Sequence, residues 1–272
     1  MSGKRRFHRE HSTNRLIAGR HVAMRCLPSL VAALFAICVL TPAHAVSPDA
    51  PSNILTVQER ADGWRLLFDG KTLNGWRNFR QNGTGPEWEI ANGAIVLQRN
   101  TKPGDAGNLA PGIMTEETFG DFELTVDWKI SAGANSGILY RVTEETKNSY
   151  ESGIEMQVLD NQVHPDAKKN PNRQAGACYA LYAPAKDVTH PVGEWNTARI
   201  LVRANHVEHW LNGVQLLSFE LGSPDWQERV AASKFKDMPA FARAKEGHLL
   251  LQDHGFHCEF RNIKIRTFAA TK

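Results

Sequence analysis

The stretch "DFELTVDWKI", residues 121–130, alternates without a break. Phe122, Leu124, Val126, Trp128 and Ile130 fall on one side, and Glu123, Thr125, Asp127 and Lys129 on the other. Successive side chains of a strand point to opposite faces, so this pattern describes a strand with one dry and one wet side. The same period returns in "SGILYRVT" with Ile138, Tyr140 and Val142, and in "GIEMQVLD" with Ile154, Met156 and Val158. Asn212-Gly213 between apolar runs is the strongest short-range signal for a hairpin. One stretch departs from the period. In "GSPDWQERVAASKFKDMP", Ser223 can cap a helix, Pro224 suits its first position, and Trp226 and Val230 lie four apart. A single short helix is expected over 224–234. Many short antiparallel strands with one helix predict an all-β chain, a β-sandwich or jelly roll.

Residues 1–45 read as a targeting segment rather than as fold. Met24-Arg25 is followed by the apolar run "CLPSLVAALFAICVL" and then by "TPAHA". That sequence matches a secretory (Sec) signal peptide cleaved after Ala45, with Met24 an alternative start. The run is shorter than the roughly 20 apolar residues of a membrane span. The chain is therefore expected in the periplasm or released, with no membrane attachment after cleavage. Residues 46–63 form a lead-in, and 64–268 the folded domain. Cys26 and Cys38 leave with the signal. Cys178 and Cys258 remain, either as a disulfide or as buried thiols. A formal net charge of +3 over 272 residues, partly in the removed segment, argues against nucleic acid as a partner.

Strand period also sorts the polar residues. Glu155 and Gln157 share the face opposite Ile154, Met156 and Val158. Gln252 and His254 share a face in "LLLQDHG", and Arg141 stands opposite Ile138, Tyr140 and Val142. An acid, two amides, an arginine and a histidine on the non-core side of strands suit a polyhydroxylated ligand. Tyr179, Tyr182, Trp195 and Trp210 are candidates for the aromatic beneath it. The same alternation equally describes a plain solvated face. His209 falls with Val207 and Leu211, as a core histidine would. His164 and Asp166 lie in a long polar loop. No local spacing of metal ligands occurs, although a divalent ion held by distant residues such as Glu155, His164, His209 and His254 is compatible with the sequence. Acyl and phosphoryl transfer lack their motifs.

Six phrases, in order, carry a resemblance: "WRLLFDGKTLNGW", "FELTVDWKISAGANSGILYRV", "YESGIEMQVLDNQVHPDA", "GEWNTARILV", "VEHWLNGVQ" and "LLLQDHGFHCEFRNIKI". Over nearly all of the chain from residue 64 it resembles the 3-keto-disaccharide hydrolase domain family. The resemblance implies a concanavalin A-like jelly roll that cleaves glycosides whose C3 hydroxyl a partner sugar 3-dehydrogenase has oxidised. A C3 ketone acidifies the C2 proton, so a base removes it, the C1 substituent leaves, and water adds. Carried onto this sequence, the family pattern makes Glu155 or His254 the base. The other, with Arg141 or a divalent cation, would stabilise the enolate. Asn135, Arg141, Gln157, Tyr179, His209 and Gln252 would bind substrate. A non-catalytic lectin-like module and a conventional glycosidase are the competing readings. Asp253 is expected to support the turn or a neighbour, and His257 and Cys258 receive no role.

Overall fold

The computed structural model describes residues 52–100 and 111–269. The expected signal peptide lies outside the described residues. Among the described residues, thirteen strands make up two antiparallel sheets: β1 (Arg65–Leu66), β2 (Trp76–Asn78), β3 (Trp88–Ala91), β4 (Ala94–Asn100), β5 (Ile113–Thr115), β6 (Phe122–Ile130), β7 (Asn135–Val142), β8 (Ile154–Leu159), β9 (Asn196–Arg203), β10 (His206–Leu211), β11 (Val214–Glu220), β12 (His248–Leu251) and β13 (Phe256–Thr267). The larger sheet has the order β11-β10-β9-β6-β13-β4-β3, with β1 pairing beside β13; the smaller has the order β2-β5-β12-β7-β8. The two sheets form a jelly-roll sandwich, within the all-β class expected from the alternation and as the resemblance implies.

The core lies between the sheets and is built by the period that marked the strands. All five apolar residues of β6 are buried in it, as are Ile138 and Tyr140 of β7 and Ile154, Met156 and Val158 of β8. In β13, Phe260 and Ile263 both enter the core although they are three positions apart, which plain alternation would put on opposite faces. A bulge between Arg261 and Lys264, with Asn262 at φ 50°, absorbs the extra residue. The β10–β11 hairpin turns at Asn212 (φ 49°) and Gly213 (φ 77°), the pair of positive values that a type I′ turn requires.

The expected helix is α3, Pro224–Ala231, and Ser223 accepts a hydrogen bond from the Trp226 N–H (3.2 Å) as its cap. Trp226 is buried and stacks between Phe219 and Phe241, at 5.3 and 6.0 Å between ring centres. That contact fixes the helix at the open end of the larger sheet. Two single-turn helices, α1 (Val57–Ala61) and α2 (Pro165–Lys169), are too short to leave a period in the sequence. Cys178 and Cys258 are buried free thiols. Among the described residues, no helix is long and apolar enough to cross a membrane.

Candidate active site

The outer face of the smaller sheet divides into an apolar and a polar half. Phe79, Met114, Leu139, Val142 and Leu250 form a second hydrophobic cluster there, with Tyr150 at its margin. Beside it, β7 and β8 pair with Leu139 opposite Glu155 and Gly137 opposite Gln157. Glu155 and Gln157 therefore project from this face, as their period predicts. Beyond β8 the chain returns alongside: the N–H of Tyr179 bonds to the carbonyl of Glu155 (3.0 Å), and that of Gln157 to Ala177 (3.1 Å). This return places the Tyr179 ring next to Glu155. Gly137 leaves the space the carboxylate occupies, because a Cβ there would collide with the Glu155 Oε1.

Glu155 is buried, and its carboxylate has no ion pair among the described residues. Gln157 gives it an amide neighbour. Turned so that its nitrogen faces the carboxylate, Gln157 donates to Glu155 Oε1 (2.9 Å) and to the Ser136 carbonyl (3.0 Å). The side chain of Asn135 lies 3.2 Å from the same amide. Burial raises the pKa of Glu155 to about 7; the charge of Lys234 opposes that rise, and that of Asp166 adds to it. The carboxylate thus exchanges its proton near neutrality.

Lys234 is the residue that the sequence did not reveal. It follows α3 in a 3₁₀ turn, Lys234–Asp237, which Ser233 caps. Its ammonium rests 4.5 Å from the centre of the Tyr179 ring and 5.0 Å from that of Tyr150. Burial lowers its pKa, while Glu155 draws it upward. The only hint in the sequence was a lysine directly before a buried phenylalanine in an irregular tract. No period marks such a position.

The loop 160–176 supplies the remaining polar wall. His164 caps α2, its Nδ1 accepting from the Asp166 N–H (3.1 Å), and its ring meets that of Phe256 edge-on. Asp166 is held by Lys169 Nζ (2.7 Å) and by the Tyr179 hydroxyl (3.2 Å), with Arg173 at 3.4 Å. Burial alone would raise the pKa of Asp166, but these partners bring it below the ordinary value. His254 lies within reach of the charges of Lys234, His164 and Asp166. Burial first, then Lys234 and His164, lower its pKa to about 4, so the imidazole is neutral at neutral pH. Gln252, also on this face, has a buried side-chain oxygen without a hydrogen-bond partner among the described residues. Asp253 accepts from the Gly255 N–H (2.6 Å), the turn-supporting contact expected of it.

Glu155, Gln157, Asn135, Tyr179, Gln252 and His254 thus come together. Arg141 and His209 do not join them. Arg141 has φ 54° and sits in a bulge that shifts the pairing between His248 and Leu250. The bulge breaks the alternation, and the guanidinium turns to the carbonyl of Ala204 (2.9 Å), with Asp121 at 3.8 Å. His209 is fully buried between the sheets, its Nε2 3.0 Å from the Tyr140 hydroxyl and its Nδ1 3.2 Å from the Gly176 carbonyl. Both ring nitrogens are engaged there, so it is a core histidine. Of the four aromatic candidates only Tyr179 faces the site. Tyr182 stacks on Phe219 beneath α3, while Trp195 and Trp210 carry Arg261 and Arg199 against the larger sheet. Among the described residues, no group of three or more His, Cys, Asp or Glu side chains is placed to hold a metal ion.

A jelly-roll sandwich with a buried, proton-exchanging carboxylate among amides, imidazoles and an ammonium places this chain among the carbohydrate-active enzymes. Residues 63–266 match the 3-keto-alpha-glucoside-1,2-lyase-like domain, and the chain belongs to that family. It is 36% identical over 243 residues to the 3-keto-disaccharide hydrolase of Bacteroides thetaiotaomicron, covering 80% of this chain and 82% of that protein. Two crystal structures of candidate glycosyl hydrolases from Parabacteroides distasonis are also similar. One shares 35% identity at a TM-score of 0.72, covering 80% of this chain and all of that one. The other shares 26% at 0.58, covering 75% and 99%.

Proposed function

We propose that this protein cleaves glycosides oxidised to a ketone at C3, by elimination across C1–C2 followed by addition of water. The observation that carries the reading is Glu155, a buried carboxylate with no ion pair among the described residues and a pKa near 7. A general base works best when its pKa lies near the working pH. Family membership and the activity of the Bacteroides relative support the same substrate class.

In this reading Glu155 takes the C2 proton, and the electron pair moves onto the C3 oxygen as an enolate. The ammonium of Lys234, which has no hydrogen-bond acceptor among the described residues, is suited to hold that developing charge in a water-poor site. The enolate then collapses, forming the C1=C2 double bond and expelling the glycosidic oxygen, which takes a proton to leave as an alcohol. Water adds at C1, its remaining proton returns to C2, and the net change is hydrolysis. His254 is a weak base with its lowered pKa and serves instead as a neutral hydrogen-bonding group. Gln252, Gln157 and Asn135 offer amides to the sugar hydroxyls. The ketone arises from a sugar 3-dehydrogenase acting first, and the protein works after export.

A conventional glycosidase is the second reading, because the surroundings of Glu155 and Asp166 drive two neighbouring carboxyls in opposite directions. Asp166 is a poor nucleophile, however, with its oxygens already taken by Lys169 and Tyr179 and Arg173 close by. Incubation with a 3-keto-glucoside and with its unoxidised parent decides. Cleavage of the keto sugar alone is expected. Turnover of the parent at a comparable rate would establish the glycosidase instead, and binding of both without turnover a lectin-like role.

A further inference from the structure

A cavity of about 340 Å³ opens beside Lys234, lined by Lys169, Asn170, Asn172, Arg173, Ser233 and Lys234 together with two alanines. Its wall carries three cations, two amides and a hydroxyl, and no carboxylate. Asp166 contacts Lys169 and Arg173, and Glu155 acts on Lys234, but neither carboxyl lines the space, so three cations face it with their counter-charges set behind. Two of these cations are held against a single ring, with Arg173 at 5.4 Å and Lys234 at 4.5 Å from the centre of Tyr179. Holding like charges together in a partly buried wall is unfavourable unless an anion relieves it. Lys234 has no hydrogen-bond acceptor among the described residues, so its donors are free to meet one.

The volume suits a small substituent rather than a whole disaccharide. The donor set, a guanidinium fork with two ammoniums and amides, matches the oxygens of a carboxylate or phosphate. Lys234 is shared: its charge acts on Glu155, and it also lines the cavity. We propose that this cavity binds an anionic group carried by the substituent at C1, so that the preferred substrates are 3-keto-glycosides with an acidic aglycone. This rests on the reaction proposed above, in which Glu155 receives the oxidised sugar and the group that leaves from C1 is the one assigned to this cavity.

Calorimetric titration of the purified protein tests the subsite without turnover. Inorganic phosphate and carboxyphenyl glucoside should bind saturably and weaken with added salt, whereas phenyl glucoside gains nothing from this cavity. Lys169 has a side chain 62% exposed, so Lys169→Glu should fold normally and weaken both anions at least about tenfold. In the kinetic arm, the 3-keto forms of the two glucosides are compared. The acidic one should have the higher kcat/KM, and Lys169→Glu should lower kcat/KM for the acidic substrate by a clearly larger factor than for the neutral one. Absence of anion binding, or binding unchanged in Lys169→Glu, overturns the subsite even if both keto sugars are cleaved. Anion binding that Lys169→Glu abolishes, with neither keto sugar cleaved, keeps the subsite and overturns the reaction.

Discussion

Glu155 on the smaller sheet and Glu123 on the larger are buried to nearly the same degree, 6% and 4% exposed. Glu123 sits between two guanidiniums, accepting from Arg199 and from Arg266 Nε (2.6 Å). Four residues along the same β6 face, Asp127 accepts from the Thr197 hydroxyl and the Asn262 amide, both at 2.7 Å. Glu155 has no such donors with charge; its cation, Lys234, acts on it through space while facing two rings. Burial alone therefore does not separate a structural carboxylate from a functional one. Glu123 is anchored by charged donors, whereas Glu155 is buried without them and its pKa rises to about 7.

The largest effect should come from testing the two glutamates side by side. Glu155→Gln keeps the shape and the amide contacts but removes the base, and should lower kcat on a 3-keto substrate by about 10²–10⁴-fold. Glu123→Gln should leave kcat nearly unchanged and cost about 1–3 kcal/mol of stability, because it weakens two charge-assisted hydrogen bonds. Steady-state rates and urea midpoints of both variants decide. Equal losses of rate would erase the distinction.

Next in size is a stability effect of opposite sign. The folded pKa of Glu155 is raised from 4.5 to about 7, so the folded state prefers the protonated acid. The penalty is absent below the unfolded value, grows as pH rises from 4.5, and is complete above about 7. At about 1.4 kcal/mol per unit it reaches about 3 kcal/mol. Glu155→Gln should then match the wild type at pH 4 and exceed it in stability at pH 8 by up to that amount. His209 behaves in the converse sense. Burial lowers its pKa to about 4, so its contribution is intact above 6.5 and is lost as pH falls toward 4. Denaturant unfolding at pH 4, 6 and 8 measures both trends, and a Glu155→Gln variant no more stable than the wild type at pH 8 would contradict the buried, unpaired carboxylate.

Regular alternation explains what could be read from the chain and what could not. The strands announced themselves because β6 must bury every second residue, and the same rule put Glu155 with Gln157 on one face and kept Gln252 with Leu250. His209 shows the period outweighing the resemblance: the residues around it place it in the core, and there it lies. Arg141 shows where the rule fails, because a bulge residue with positive φ breaks the period, and Val142 beyond it joins Leu139 in the outer cluster rather than Ile138 and Tyr140. Lys234 and Arg173 were illegible for a different reason, and Asp166 could be named only as a residue of a polar loop. They reach the site from irregular segments, where no period constrains direction. Local pattern reveals faces of regular elements; the charges that tune a site come from connections, whose paths only the folded chain defines.

The smallest expected effect isolates the through-space cation. Lys234→Met retains an unbranched apolar stem against Tyr150 and Tyr179 but removes the charge that holds down the pKa of Glu155. The acid limb of kcat/KM, set near 7 by Glu155, should move upward by on the order of one unit, and the plateau at high pH should fall as well if the ammonium also stabilises the enolate. The two consequences separate in one pH profile. A cation that merely shored up the fold would lower the plateau and leave the limb in place, since Glu155 would keep its environment. A limb that moves identifies Lys234 as the partner that poises the base, and so shows that an unpinned charge does for Glu155 what two pinned guanidiniums do not do for Glu123.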